Sequence, residues 1–190
     1  MKLMILSYRP AWIVRILPLL ALSLAVAVPM QGAAFLKFEG IEGESKDKAH
    51  RDEIEVFSWS WGLRNSGTTH TATGGGSGKV SVSDFTITKR TDKASPKLAL
   101  RTASGLHAPS AKLTVYRESA AGERVPYLVF EFENVIVTSY QTSGSRTEIP
   151  EETITLNFAR FTYTYTPTED DGSAGAPVSV GWDIQKNEEV

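Results

Sequence analysis

The sequence contains no cysteine and only three histidines among its 190 residues. Without cysteine the chain forms no disulfide bond, binds no iron–sulfur cluster or thiolate-ligated zinc, and lacks a thiol nucleophile. The spacings of His50, His70 and His107 match no helical metal-binding pair. Dense clusters of Lys and Arg are also missing and the net charge is −2, which argues against a nucleic-acid partner. We therefore predict no catalytic residue, no metal ligand, no cofactor and no enzymatic activity.

The first 34 residues contain no acidic side chain, although the whole sequence has 22. Their basic residues are Lys2, Arg9 and Arg15. The uncharged segment Ile16–Val28 follows, and the small residues Gly32–Ala34 come directly before Phe35. A basic start, an apolar segment and small residues at the cleavage point are typical of a secretory signal peptide. We therefore predict a signal in residues 1–34 and a domain of net charge −5 in residues 35–190.

Two other interpretations of this leader stay open. The uncharged run from Ile16 to Leu36 could anchor the chain, but Pro18 and Pro29 leave its apolar centre shorter than a membrane span requires. Alternatively, translation starts at Met30. A cleaved signal implies a secreted or periplasmic protein, whereas a start at Met30 implies a protein that is cytoplasmic before secretion. No stable membrane insertion is expected.

From Phe35 onward, hydrophobic and polar residues alternate as they do in β-strands. In one long run, Phe130 and Phe132 point to one face while Glu131 and Glu133 point to the other. The predicted strands are Ala34–Ile41, Glu53–Trp61, Lys79–Lys89, Ala111–Tyr116, Pro126–Tyr140, Glu152–Thr166 and Pro177–Ile184. This spacing of strands predicts a mainly β protein.

Two of these runs change phase. The change at Asp84 predicts a bulge, and the change at Ala159–Arg160 predicts a bulge or a bend between two sheets. One segment breaks the strand pattern, because Ser95 suits a helix N-cap, Pro96 the first helical position and Gly105 the position after the last turn. We therefore predict seven or eight strands in a two-sheet β-barrel or sandwich, with a single α-helix.

The segment Gly62–Gly78 is rich in glycine and small polar residues and connects two predicted strands. A loop of this length in a compact domain is usually functional or disordered. Its end, Gly74–Lys79, invites a phosphate-loop interpretation, but Val80 stands where Ser or Thr holds magnesium, and a strand follows where a helix is required. The pattern favours a flexible loop over a nucleotide site.

Other chemistry-bearing residues are better explained by ordinary structure. Glu131 and Glu133 lie on the solvent face of an amphipathic strand, so a glycosidase pair is disfavoured. Trp59 and Trp61 share a face and could stack on carbohydrate, although packing in the core is commoner. The histidines are expected at the surface or in caps. A Ser-His-Asp triad assembled in space stays open, because triads are defined by geometry.

Seven blocks that follow one another along the chain carry a resemblance to a known family. They are residues 34–45 (AFLKFEGIEGES), 50–56 (HRDEIEV) with 58–62 (SWSWG), 92–98 (DKASPKL), 139–144 (SYQTSG), 152–159 (ETITLNFA), 165–167 (YTP) and 181–184 (GWDI). In this order they resemble the Hcp family, the haemolysin-coregulated tube proteins of bacterial type VI secretion. The similarity extends over residues 34–187, and its strength lies in the order of the blocks.

The resemblance implies a ring-forming β-barrel or sandwich with one helix. Six copies would form a ring, and stacked rings would form a tube that carries small effectors in its lumen, inside a contractile sheath and behind a spike. The family is not enzymatic unless a toxin domain is fused to it. Its long glycine-rich loop helps one ring meet the next. The matching residues here are Asn65, Ser66, Thr68, His70, Gly74, Gly75 and Gly76.

The leader is the departure from the family pattern. Tube subunits assemble in the cytoplasm, and an exported copy would be separated from a cytoplasmic sheath. A start at Met30 gives a chain of about the usual length for the family. If export is real, the alternative function is an exported Hcp-like binding module for a surface or carbohydrate partner, outside any contractile apparatus.

Overall fold

A computed structural model describes residues 32–67, 79–118 and 124–190 of the chain. The strands in the described ranges are β1 Ala34–Phe38, β2 Ile54–Val56, β3 Ser58–Ser60, β4 Leu63–Asn65, β5 Val80–Val82, β6 Phe85–Arg90, β7 Ala108–Glu118, β8 Arg124–Ser143, β9 Glu151–Asn157, β10 Arg160–Tyr165, β11 Val178–Asp183 and β12 Glu188–Glu189. The helix in these ranges is α1, Ser95–Ser104. The predicted class, mainly β with a single short helix, is confirmed.

The strands form two antiparallel sheets that share one long strand, and a small separate ribbon. The first sheet has the order β12-β11-β10-β8-β7-β1-β2, and the second has the order β3-β6-β9-β8. Strands β4 and β5 pair only with each other among the described strands. The architecture is therefore the two-sheet sandwich of the prediction, with β8 passing from one sheet to the other.

The change of partner in β8 occurs around Asn134. Residues 128–133 pair with β10, and residues 136–143 pair with β9. Asn134 lies between these stretches with a φ of 52°, a left-handed conformation that Asn tolerates better than most side chains. A residue in this conformation turns the strand, and so lets β8 leave the first sheet and enter the second.

Aromatic side chains fill the space between the sheets. Phe85 of the second sheet lies 5.2 Å from Phe130 and 4.9 Å from Phe132 of the first, measured between ring centroids. Trp59 and Trp61 pack against this cluster from the segment that follows β2. Packing of the two tryptophans in the core is thus confirmed, because two rings of this size fill the gap that the diverging sheets leave.

Helix α1 lies against β8 and buries Leu98 completely. Gly105 ends it with a φ of 65°, and its N–H donates to the carbonyl of Arg101, as predicted for a glycine after the last turn. The prediction that Ser95 is the N-cap is wrong, because Ala94 holds that position and Ser95 is the first residue of the helix. Asp92 instead accepts from the Ala94 N–H at 2.9 Å. Within the described ranges, no helix has the length and hydropathy to cross a membrane.

Several predicted strands are divided in the structure, so the described residues contain twelve strands where seven or eight were expected. The run Glu53–Trp61 splits at Phe57, because β2 joins the first sheet and β3 the second. The run Lys79–Lys89 splits at Asp84, where β5 ends in the ribbon and β6 begins in the second sheet. The phase change at Ala159–Arg160 is the predicted bend, since β9 and β10 lie in different sheets.

Candidate assembly surface

The ribbon is the base of the glycine-rich segment. Leu63 pairs with Val82, and Asn65 pairs with Val80, in antiparallel register. The prediction of a loop over Gly62–Gly78 is therefore wrong for its first residues, which form β4. The Asn65 Oδ1 atom accepts a hydrogen bond from the Gly67 N–H at 2.7 Å, which starts the turn away from the ribbon.

An apolar hollow of about 580 Å³ lies between this ribbon and strands β10 and β11. Its apolar lining includes Trp61, Leu63, Val80, Tyr163, Val180 and Trp182. Glu189 is the one charged residue among the described residues of the lining. Trp182 keeps its buried indole N–H without an acceptor in the described part of the chain, so its ring contributes packing here. The size and character of the hollow suit an apolar group with a positive charge at its edge.

The hollow exists because the core-facing side of the first sheet extends beyond the second sheet. Phe161 is buried near the centre, but its neighbours farther along the sheet are not. Tyr165 pairs with Val178 in register, and their side chains are 42% and 63% exposed. Val180 on the same face is 50% exposed. These residues continue the apolar face where no described element covers it.

A second apolar feature lies between β2, which belongs to the first sheet, and β3, which belongs to the second. We call it the Phe57 ridge, which comprises Phe57, Arg90 and Ile149. Phe57 is 51% exposed and Ile149 is 59% exposed. The Arg90 guanidinium lies over the Phe57 ring, 5.0 Å from its centroid. Phe57 and Arg90 line two hollows, of about 250 and 580 Å³, and therefore stand between them as a projection.

A buried polar network fixes the backbone beneath this ridge. Lys89, next to Arg90, places its Nζ 2.8 Å from Glu152 Oε2, and both side chains are almost wholly buried. The same Nζ donates to the Arg90 carbonyl at 2.7 Å and contacts Asp92 at 2.8 Å. With these partners the buried ammonium is fully satisfied, which is the condition for a buried charge to persist.

Glu152 is equally well satisfied. Ser95 Oγ donates to its Oε2 at 2.8 Å, and Tyr140 OH donates to its Oε1 at 2.9 Å. Burial by itself raises the pKa of Glu152, but the hydrogen bonds from Lys89, Ser95 and Tyr140 outweigh it and hold the pKa below its usual value. Burial together with the bond to Glu152 raises the pKa of Tyr140 to about 12. The carboxylate therefore stays ionised and the phenol stays neutral at pH 7.

His50 differs from the prediction of a surface or capping histidine. His50 is buried, 8% exposed, and stacks on Phe35 with 4.6 Å between ring centroids. Its Nδ1 lies 2.6 Å from Glu53 Oε2 and its Nε2 lies 2.5 Å from Tyr116 OH. This hydroxyl–imidazole–carboxylate order is that of a catalytic triad, but burial raises the pKa of Tyr116, which is opposite to the activation of a nucleophile. We interpret the cluster as structural.

The other residues considered for catalysis, His107, Glu131 and Glu133, lie apart from the His50 cluster. His107, as predicted, is exposed; its Nδ1 is 2.7 Å from Asn134 Oδ1. Glu131 and Glu133 lie on the outer face and pair with Lys112 and Arg160 at 3.0 and 3.2 Å, as expected for a solvent face. In the described ranges, no group of three histidine or acidic side chains could hold a metal ion.

The residues predicted to form the ring-stacking loop are described only in part. Asn65 ends β4 and lines the hollow, and Ser66 is exposed directly after it. Five of the seven lie outside the described residues, namely Thr68, His70, Gly74, Gly75 and Gly76. The sequence did not predict the Phe57 ridge or the exposure of Val178 and Val180 in the first half of β11. The alternation of Val178, Val180 and Trp182 was a usable signal for an apolar face, but not for its exposure.

A family model described as "Type VI secretion system effector, Hcp" matches residues 35–165. The chain belongs to the Hcp family. The Hcp1 protein of Pseudomonas aeruginosa is 44% identical over 155 residues, which cover 80% of this chain and 95% of that protein. The family resemblance found in the sequence is thereby confirmed.

Solved Hcp structures agree with this assignment. The crystal structure of Hcp1 from Salmonella typhimurium is 34% identical and superposes with a TM-score of 0.70, covering 85% of this chain and all of that one. A structure described as that of a type six secretion system protein is 31% identical with a TM-score of 0.78, covering 84% of this chain and all of that one. As an Hcp, the chain is a structural tube protein of type VI secretion, from a family that assembles into rings and is secreted.

Proposed function

We propose that six copies of this Hcp chain close into a ring, that rings stack into a tube, and that small effectors travel in its lumen. The exposed apolar face of Tyr165, Val178 and Val180 carries the proposal, because monomeric proteins rarely leave such a face open. Cyclic closure covers one such face in every subunit. The tube fits within a sheath and behind a spike, and this role requires no catalysis.

Native mass spectrometry over a range of protein concentrations tests the ring. Residues 30–190 suit this experiment, because this chain keeps Ala34, which is buried in β1 and pairs with Val56 and Val115. We expect a dominant species of six subunits that dissociates on dilution. A monomer at the highest concentration would contradict the assignment of a ring-forming role to this chain.

We propose that the segment following β4 mediates stacking between rings, with Asn65, Ser66, Thr68, His70 and Gly74–Gly76 at the contact. Its position supports this, because the ribbon pairs with no other described strand and all three residues of β4 are exposed. A protein arm that becomes ordered across an interface loses entropy but adds contact, which favours reversible association.

Replacing residues 67–78 with a short turn tests this role. We expect the six-membered ring to persist in native mass spectrometry, while stacked tubes disappear from electron micrographs. The matched control shortens the connection Thr168–Pro177, which has a similar length but lies at another edge. Tubes that form equally well without residues 67–78 would contradict the proposal.

We propose that residues 1–34 are a secretion signal and residues 35–190 the domain. Cleavage before Phe35 has a structural cost, because Ala34 is buried in β1 and pairs with Val56 and Val115. It also removes the Ala33 carbonyl that accepts from the Tyr116 N–H at 2.8 Å. A start at Met30 would keep both contacts.

N-terminal sequencing of the native protein after cell fractionation distinguishes these cases. We expect Phe35 as the first residue, in the periplasm or the medium. Met30 as the first residue in the cytoplasm would contradict the signal and leave an ordinary tube subunit. A cleaved periplasmic chain that forms no rings would instead support an exported binding module.

A further inference from the structure

We infer that the Phe57 ridge of one subunit inserts into the apolar hollow of the next subunit around the ring. The inference rests on the proposed ring and names the residues that close it. The ridge consists of Phe57, Arg90 and Ile149, and the hollow lies between the ribbon and strands β10 and β11.

Cyclic symmetry with more than two subunits requires two different, complementary surfaces on each subunit. The ridge and the hollow meet this requirement, because one projects and the other recedes, and they lie on different elements. The ridge belongs to the β2–β3 segment, β6 and the segment before β9, whereas the hollow belongs to the ribbon, β10, β11 and β12. In a closed ring every ridge and every hollow is occupied once, so neither stays exposed.

The apolar character of both surfaces favours this contact. Phe57 and Ile149 are each more than half exposed, and the hollow presents half-exposed Val180 beside Leu63. A hollow of about 580 Å³ is within the range of roughly 300–1,000 Å³ that is typical of concave binding sites. Aromatic and Arg side chains are also the residues that most often anchor protein interfaces.

The charges of the two surfaces are complementary. Arg90 lies over Phe57 and enters with it, and Glu189 is the charged residue in the described lining of the hollow. Neither Arg90 nor Glu189 forms an ion pair with another residue of the described ranges. Each is therefore available to the other across the interface, where a close pair steers association and sets the register.

The rims are complementary as well. Glu55 and Glu151 flank the ridge, whereas Arg64 in the ribbon and Lys79 directly before it are exposed beside the hollow. A small apolar ligand would use the hollow alone and would leave the ridge and its charges without a role. A second copy of the chain accounts for both surfaces at once.

Cross-linking tests the contact cleanly because the chain has no native cysteine. The double variant Phe57→Cys/Val180→Cys, treated with a short bismaleimide, is expected to give a ladder of covalent species up to the full ring. Either single variant gives monomer only, because its one thiol then faces no second thiol across the interface. The matched control is Leu100→Cys/Val180→Cys, since Leu100 is equally accessible, 66% exposed, but lies on α1.

Two outcomes separate this inference from the proposed function. The first is intact rings in native mass spectrometry with no ladder, together with equal maleimide reactivity of the thiols introduced at positions 180 and 100. This result would overturn the ridge-in-hollow contact and leave the ring standing. If wild-type protein forms no ring, the proposed function itself fails. Circular dichroism of each variant establishes that it is folded before cross-linking.

Charge reversal provides an independent test. Arg90→Glu or Glu189→Arg alone is expected to weaken ring assembly by about tenfold or more in the dissociation constant, because like charges then meet at every interface. The double variant restores the opposite pair at every interface and is expected to recover assembly. Glu188→Arg is the matched control, because Glu188 pairs with Lys186 at 3.4 Å and does not line the hollow. A double variant as weak as both singles combined would overturn the pairing.

Discussion

Lys89 and Glu152 form an ion pair that is buried almost completely between β6 and β9, with Nζ and Oε2 2.8 Å apart. The two residues are also direct register partners, so the ion pair reinforces a backbone pairing. Ser95 and Asp92 join the same network and attach the start of α1 to the second sheet. One polar centre therefore positions the helix and the strand that carries Arg90.

Substituting Lys89→Met is expected to lower the free energy of unfolding by about 3–5 kcal/mol, because it leaves the Glu152 carboxylate buried without its cation. Urea denaturation at pH 7 measures this. The double variant Lys89→Met/Glu152→Leu removes both charges and is expected to be more stable than the single variant. A double variant less stable than Lys89→Met would show that the carboxylate is tolerated without the lysine.

Acidification is expected to destabilise the protein below a pH of about 4.5. The hydrogen bonds from Lys89, Ser95 and Tyr140 outweigh burial and hold the folded-state pKa of Glu152 below its usual value, and the Lys186 N–H and Arg160 lower the pKa of Asp183. A carboxyl group with a lowered folded-state pKa contributes stability above its unfolded-state pKa, and that contribution is lost as the pH falls toward the folded-state value. Urea midpoints should stay level between pH about 7 and 5 and then fall. Glu152→Gln should flatten this fall, and an equal fall in that variant would contradict the role of Glu152.

Gly43 should not tolerate a side chain. A Cβ atom there would meet the Glu53 carbonyl and lie 2.6 Å from Ile54 Cα, and both are backbone atoms that cannot move aside. Gly43→Ala is therefore expected to cost about 1–3 kcal/mol or more in thermal or urea unfolding. Gly62→Ala is the matched control, since no atom of the described residues lies within 4 Å of its Cβ position. Equal stabilities of the two variants would refute the clash.

Tyr116→Phe tests the buried histidine cluster. The substitution keeps the ring beside Phe35 and removes only the hydroxyl 2.5 Å from His50 Nε2. Leaving a buried polar atom unpaired is expected to cost about 1–3 kcal/mol. Tyr165→Phe, at a 42% exposed position, is the control and should change the unfolding free energy little. The cluster is not stabilising if both variants unfold at the same urea concentration.

Much of the fold could be predicted from the local sequence pattern. The alternation of Phe130 and Phe132 with Glu131 and Glu133 predicted which face of β8 is buried, because side chains alternate along any strand. Gly105 predicted the end of the helix, since a left-handed conformation there favours glycine. The exchange of β8 between sheets was missed, although Asn134 within a long strand pattern was an available signal.

The candidate site was harder to predict from the sequence, because the exposure of a strand face depends on which element packs against it. Val178 and Val180 have the same alternation as core strands, yet they are exposed because the second sheet ends before reaching them. His50 and Glu152 have the polarity of surface residues, yet both are buried because partners distant in sequence satisfy them. Local pattern does not identify such partners.

By itself, the sequence determined the class of the protein: a cysteine-free, mainly β chain of the Hcp family, with an apolar N-terminal segment and the helix that the described residues contain. These properties follow from composition, alternation and the order of short sequence blocks, which are all local. Only the tertiary structure decided that a ridge at Phe57 and a hollow beside Val180 coexist on one subunit. The physical reason is that each is formed where two sheets diverge, by residues far apart in the chain.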